Sequence, residues 1–259
     1  MKPARFDYLR AGTLAEAHAT LAADGDDARI LAGGQSLLPM LSMRMARPKV
    51  LIDIMHLPEL AKIEVDANAI RIGAGVRQAK LLAWPELHER QPLLAAALPW
   101  VGHAQTRSRG TVCGSVAHAD PSAEIPLVLL ALKGAIHLSS RQKQRRVPAV
   151  DFFTGIMSTA RNDDELIEGI EAPCRTPGHG SGFCIASWKR DSTSPESTPI
   201  ASAIHCLLDT SPEITGIEYP PGRGNTVALL PSNRLAIAAS SNFNDIPGRI
   251  TASRSRAAK

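Results

Sequence analysis

Two short glycine-bearing segments carry the residue types that can hold a phosphate. In the first, Arg29-Ile30-Leu31-Ala32 has the character of a strand and runs into Gly33-Gly34-Gln35-Ser36. Glycines between a strand and a helix let backbone N–H groups approach anionic oxygens, and the helix start adds partial positive charge. Gln35 and Ser36 add side-chain donors. Alone, such a segment is ordinary turn chemistry. The second segment, Arg109-Gly110-Thr111-Val112-Cys113-Gly114-Ser115, again offers small residues and hydroxyls, and the two together point to a diphosphate. It runs on through Ala117-His118-Ala119-Asp120-Pro121-Ser122-Ala123-Glu124. A carboxylate a few residues beyond a phosphate cradle suits a ribose or ribityl hydroxyl. Asp120 can equally cap a helix ahead of Pro121, and Glu124 can pair with a helix dipole. Both readings of each acid stand. His103 and His118 flank the second segment and read as structural or loop-lining rather than catalytic. Neither segment is a dinucleotide fingerprint or a P-loop: Gly-x-Gly-x-x-Gly is missing from a strand–helix junction, and no Gly-Lys-Ser/Thr follows the glycines.

The elements that must position these segments follow from local pattern. Thr13-Leu14-Ala15-Glu16 is a capping box, after which Leu14, Ala17 and Leu21 recur at helical spacing and Gly25 stops the helix. Residues 29–32 form a strand, Ser36 caps a short helix to Leu41 or beyond, and residues 49–54 form a buried strand. Ala69-Ile70-Arg71-Ile72 alternates as a strand, and Gly73-Ala74-Gly75 turns it into a helix from Arg77. Residues 92–98 are helical, with Pro92 in the first turn. Residues 125–133 read as a largely buried helix and residues 135–138 as a strand. From about Arg175 the texture changes to Gly, Ser, Thr and Pro, with only residues 200–208 and 227–230 core-like. The last stretch reads as a disordered basic tail.

Composition sets the outer bounds. The chain has 259 residues, 44% hydrophobic and 21% charged, which is ordinary for a globular protein with one large or several small domains. The longest apolar run, residues 125–132, is too short to span a bilayer, and the N-terminus lacks a signal-peptide core, so the expected location is the cytoplasm. Cys113, Cys174, Cys184 and Cys206 show neither zinc-ligand spacing nor the clustering of an iron–sulfur centre. If the chain handles electrons, a bound organic cofactor must carry them. The net charge of +4 is accounted for by Arg249, Arg254, Arg256 and Lys259 near the end. The basic run at residues 141–146 lacks interleaved aromatics for stacking bases and reads as a solvated loop, with no nucleic-acid partner.

Over residues 1–175 the sequence resembles the FAD-binding medium subunit of molybdenum-containing hydroxylases, the group that includes the xanthine dehydrogenase and carbon monoxide dehydrogenase flavoproteins. The resemblance rests on Phe6-Asp7-Tyr8, on Leu31-Ala32-Gly33-Gly34-Gln35-Ser36-Leu37-Leu38-Pro39-Met40 and on residues 44–53. It continues through Arg107-Ser108-Arg109-Gly110-Thr111-Val112-Cys113-Gly114-Ser115, Ala119-Asp120-Pro121-Ser122-Ala123-Glu124 and Asp164-Glu165-Leu166-Ile167.

It implies an α+β fold: a two-part FAD-binding domain of the PCMH type, residues 1–55 and 56–176, followed by a small, shortened α+β C-terminal domain, residues 177–259. Both segments would hold the FAD diphosphate, with Leu31, Leu37 and Val101 completing the set, Glu124 on the adenosine ribose, and Asp120 beside it. The partners implied are a small subunit with [2Fe-2S] clusters and a large subunit with the molybdenum cofactor, in a heterotrimer that passes electrons to an external acceptor. Two departures stand out. Cys113 replaces a glycine usual in the family, and its thiol is expected to crowd the pyrophosphate. Residues 187–199 do not match the stretch that lies near the flavin ring. These departures motivate a second reading, a degenerate homologue that scaffolds the complex without FAD. A stand-alone FAD oxidase is a third, without a visible substrate pocket.

Overall fold

The computed structural model describes residues 2–176 and two further strands, Gly180–Ala186 and Ile204–Thr210. Most of the segment 177–259, including residues 227–230 and the basic tail, lies outside the described residues.

The first sheet is built from β1 (Asp7–Arg10), β2 (Ala28–Leu31) and β3 (Val50–Asp53), in the order β1-β3-β2 with both pairings parallel. Parallel neighbours require crossovers, and the sequence supplies them as α1 (Leu14–Asp24) and α2 (Leu37–Ser42). Thr13 starts α1 as its pattern demands: its Oγ1 accepts from the Glu16 amide at 3.2 Å. Glu16 reaches back one residue further than a simple box, accepting from the Gly12 amide at 2.8 Å. Gly25, at φ 52°, ends the helix. The central strand is the most enclosed, with Leu51 and Ile52 fully buried.

The second sheet is antiparallel. After β4 (Ile63–Val65) and β5 (Ala69–Gly73), the chain makes α3 (Gln78–Leu82), α4 (Leu87–Arg90), α5 (Pro92–Ala97), α6 (Ala104–Arg109), α7 (Val112–His118) and α8 (Glu124–Ala131). It then returns as β6 (Ala135–Ser139) and β7 (Gln144–Pro148), passes through α9 (Ala149–Phe152) and a short hairpin of β8 (Phe153–Gly155) and β9 (Ser158–Thr159), and closes with β10 (Leu166–Pro173). The order is β4-β5-β10-β6-β7, so the last strand inserts at the centre. Beyond it, β11 (Gly180–Ala186) pairs antiparallel with β12 (Ile204–Thr210).

Strand alternation divides this sheet into two faces. Ile70, Ile72, Ile136, Leu138, Ile170 and Ala172 point inward and join a core that also contains Leu21 of α1, Ile52 of β3 and Ile54 just beyond it. Each fully buried Ile or Leu contributes about 1.5–3 kcal/mol, so the shared core is what fixes one sheet against the other. The outer face carries a charged ladder. Arg146 and His137 both hydrogen-bond Glu171, at 2.8 and 2.9 Å, and the Arg146 contact holds the Glu171 carboxyl at about 2 despite partial burial.

The basic run at 141–146, expected to be a solvated loop, is partly strand β7. Arg145 is bidentate to the buried Glu165, at 2.6 and 2.7 Å, and Arg146 joins the ladder. Pairing across strands, invisible in a local charge pattern, decides this difference. Among the described residues no helix is long and apolar enough to cross a membrane.

Candidate functional site

The first segment leaves the carboxyl end of β2, where open parallel sheets present their ligand crevices. Gly34 has φ 68°, a left-handed conformation that favours glycine. Gly33 is required for another reason. A Cβ there would lie 2.4 Å from the Arg109 carbonyl oxygen, 2.6 Å from Gly110 Cα and 2.9 Å from the Thr111 nitrogen. All three are backbone atoms that cannot swing aside, so Gly33 is the point at which the two segments touch.

Among the described residues, the amides of Gly33, Gly34, Gln35 and Ser36 donate to no protein acceptor. Gln35 folds its Nε2 over the loop to the Gly33 carbonyl at 3.1 Å. Ser36 precedes α2 as expected but does not cap it. Its backbone is already helical (φ −96°, ψ −42°), whereas a capping residue needs an extended backbone to aim its oxygen at the amides ahead. Its hydroxyl is therefore not committed to the helix.

The second segment is pinned to the scaffold. Gln78, the first residue of α3, donates its amide to Gly110 O at 2.9 Å, and Val112 donates to Val76 O at 3.0 Å. Thr111, nearly fully buried, caps α7: its Oγ1 accepts from the Gly114 amide at 3.0 Å. A Cβ on Gly114 would come within 2.7 Å of that oxygen, so glycine here is what lets the cap close.

Cys113 does not take the expected direction. Although it is among the residues lining the cavity, its thiol is fully buried, donates to the Ile72 carbonyl at 3.4 Å and also lies near the backbone N–H of Ile170. Burial pushes it up to about 12. The second position of a short helix faces its side chain into the core, and the thiol is spent there rather than against a ligand.

The two segments line one cavity of about 630 Å³. Ala32, Gly33, Gly34, Gln35, Ser36 and Leu37 line it from one side, and Thr111, Cys113, Gly114 and Ser115 from the other. Val101, Asp120 and Glu124 complete the expected wall. Leu31 and Val112 are not in the lining. Leu31 ends β2 with its carbonyl accepting from Ile54, and Val112 is fully buried beneath the loop.

Asp120 follows Ala119, which ends α7 in a left-handed conformation, φ 50°. Burial favours the neutral Asp120 carboxyl, but hydrogen bonds from the Ser122 hydroxyl and amide, at 2.7 and 2.8 Å, outweigh it and hold the group below its ordinary range. Asp120 thus braces its own turn through Oδ1.

Sequence reading missed several lining residues, most of them brought in from distant chain. Gln78 follows a turn that announces only a helix start. Arg29 stands on β2 just ahead of the first segment, and Arg161 and Glu165 arrive from the approach to β10. Burial lowers the Arg161 guanidinium from its usual range, and the nearby Arg29 charge adds to this. Arg161 donates to the carbonyls of Asn162 and Glu165, both at 2.8 Å. The Asp164-Glu165-Leu166-Ile167 stretch was the available signal, since Glu165, Leu166 and Ile167 all reach the cavity.

Comparison with known proteins sets this geometry in context. The family model described as the FAD binding domain in molybdopterin dehydrogenase matches residues 4–175. The alpha subunit of the 6-hydroxypseudooxynicotine dehydrogenase complex of Paenarthrobacter nicotinovorans is 42% identical over 183 residues, covering 71% of this chain and 62% of its own length. The carbon monoxide dehydrogenase medium chain of Hydrogenophaga pseudoflava is 38% identical over 183 residues, covering 71% of this chain and 64% of its own. Among solved structures, carbon monoxide dehydrogenase from H. pseudoflava superposes with a TM-score of 0.69 at 37% identity, over 74% of this chain and 66% of that one. Quinoline 2-oxidoreductase from Pseudomonas putida 86 gives 0.69 at 35% identity, over 73% and 65%. The matched region is about three fifths of the length of these curated relatives.

Proposed function

The chain belongs to the FAD-binding domain family of molybdopterin dehydrogenases, and on that premise we propose that it is the electron-relay subunit of a molybdenum hydroxylase complex. The observation that carries this reading is the contact at Gly33, which joins two glycine segments into one cradle. The cavity fits FAD on its own terms: unengaged amides and an uncommitted hydroxyl on one side, a rigid glycine loop on the other, and an ionised acid at the margin. When bound, FAD supplies the redox chemistry, for which the described residues offer no metal-binding cluster.

The chain's own residues then bind and orient. Residues 32–37 with Thr111, Cys113, Gly114 and Ser115 hold the diphosphate, and Val101 supports the apolar side of the site. Glu124 and the second oxygen of Asp120 take ribose or ribityl hydroxyls. Residues 1–55 and 56–176 act as the two parts of one FAD-binding domain, with 177–259 as a C-terminal domain. The molybdenum cofactor and iron–sulfur clusters belong to large and small partner subunits, in a cytoplasmic heterotrimer that delivers electrons to an external acceptor.

A tagged chain purified from its native host tests the proposal. It should carry flavin and bring with it stoichiometric iron and molybdenum on two other polypeptides. A yellow chain that retains neither partner would refute the relay, and a colourless chain that retains both would establish the scaffold reading instead.

A further inference from the structure

We propose that Gln78 is a ligand-binding residue of this cavity, its side-chain carbonyl accepting a hydrogen bond from a hydroxyl of the sugar or polyol next to the diphosphate. The inference rests on the reading of the cavity as an FAD site. Gln78 is only 4% exposed and belongs to the cavity wall. Its amide donates to Gly110 O and its Nε2 to Thr111 O, at 2.9 and 3.3 Å, so the side chain is docked beneath the second segment. The Nε2 bond also fixes which way the carboxamide faces. Turning it over would set Oε1 against the Thr111 carbonyl, acceptor to acceptor.

In the observed orientation Oε1 is the one buried side-chain polar atom without a hydrogen-bond partner among the described residues. Buried carbonyls are rarely left so, because the unmade bond is costly. Packing alone gives no reason for it, since an apolar chain of similar length would fill the same space without that cost. The neighbouring backbone is shaped around this oxygen: a Cβ on Gly110 would press to 3.1 Å from it.

An orphaned acceptor selects its partner by chemistry. Diphosphate oxygens at neutral pH offer no proton, so they do not satisfy it. The donors adjoining the diphosphate in FAD are the ribityl and ribose hydroxyls. Gln78 therefore complements the first segment: amides take the anion on one side, and a carbonyl takes a hydroxyl on the other. Oε1 is covered in the free protein, so the bond forms only as the ligand seats.

The test is a flavin-fluorescence titration of the full chain as Gln78→Met, with inorganic pyrophosphate as competitor. FAD affinity should fall about three- to tenfold, the size of one neutral hydrogen bond. Pyrophosphate affinity should stay unchanged, and the ligand-free variant should unfold no earlier than the parent, since Thr111 O keeps the Ser115 amide as a donor. Unchanged FAD affinity would overturn the assignment, as would an equal loss for both ligands, which would mean a disturbed cradle. Should Gln78→Met not fold, Gln78→Asn withdraws the same group by one methylene and should show the same selective loss; parental FAD affinity there overturns the assignment too. A parent chain that binds no FAD at all would overturn the cavity reading and this inference together.

Discussion

Residues 33–36 donate no amide to a protein acceptor among the described residues, whereas residues 110–112 are tied to Val76 and Gln78 by backbone hydrogen bonds and Thr111 caps α7. The first glycine segment is shaped by what its residues lack: a Cβ at Gly33, side-chain bulk at a left-handed Gly34, a capping role for Ser36. The second is shaped by what its residues bind. One cradle thus combines donors kept free with a backing that does not move, and preorganised donors lose less on binding than donors that must first be ordered.

This contrast makes the effects of substitution unequal. The largest belongs to Gly33→Ala, where the new methyl meets backbone at 2.4 Å. Forced overpacking of this kind costs about 1–3 kcal/mol, and because it separates the two segments, FAD affinity should fall about 100-fold or more in a fluorescence titration. An affinity within threefold of the parent would show that the segments act independently.

Thr111→Ala comes next. Losing the cap of α7 costs about 0.5–2 kcal/mol, read as a lower urea midpoint at unchanged slope, with weaker FAD binding following from a looser second segment. The comparison predicts no such stability loss for Ser36→Ala, because Ser36 makes no capping bond.

Cys113→Gly sharpens the contrast from the other side. The thiol packs against the Ile72 carbonyl, not the cavity. Restoring glycine should destabilise the chain by about 1–2 kcal/mol through a small cavity and backbone entropy while leaving FAD affinity within threefold. Tighter FAD binding would revive the crowding expectation. With burial pushing the thiol up to about 12, Cys113 in the folded chain should also resist alkylation by iodoacetamide near neutral pH, read by mapping the modified cysteine.

The smallest effect is the pH dependence from Asp120. Its carboxyl is held below its ordinary 3.8, so its contribution to folding is fully present above that value and is lost as pH falls through the lowered one. Between about pH 5 and 8 Asp120 contributes no slope to stability. Asp120→Asn should leave any slope in that range unchanged in a set of thermal melts.

Local features were legible in the sequence, and long-range ones were not. The Thr13 cap, the Gly25 stop, the strand entering Gly33 and the helix from Pro92 each follow from neighbours in the chain. So did most of the expected cavity wall, because its residues cluster in two segments. The close approach of Gly33 to Arg109, the strand made from half of the basic run, and the inward turn of Cys113 all depend on chain packed from elsewhere. Ser36 failed as a cap for a subtler reason. Residue type predicted the position, but the backbone had already turned helical one residue early.

The most direct test of the central claim, that two segments make one FAD cradle through Gly33, is a paired titration of the purified full-length chain and its Gly33→Ala variant with FAD. The parent should bind flavin stoichiometrically and quench its fluorescence, and the variant should remain folded by circular dichroism yet bind at least about 100-fold more weakly. A folded variant that binds FAD as the parent does, or a parent that stays colourless at saturating FAD, would contradict it.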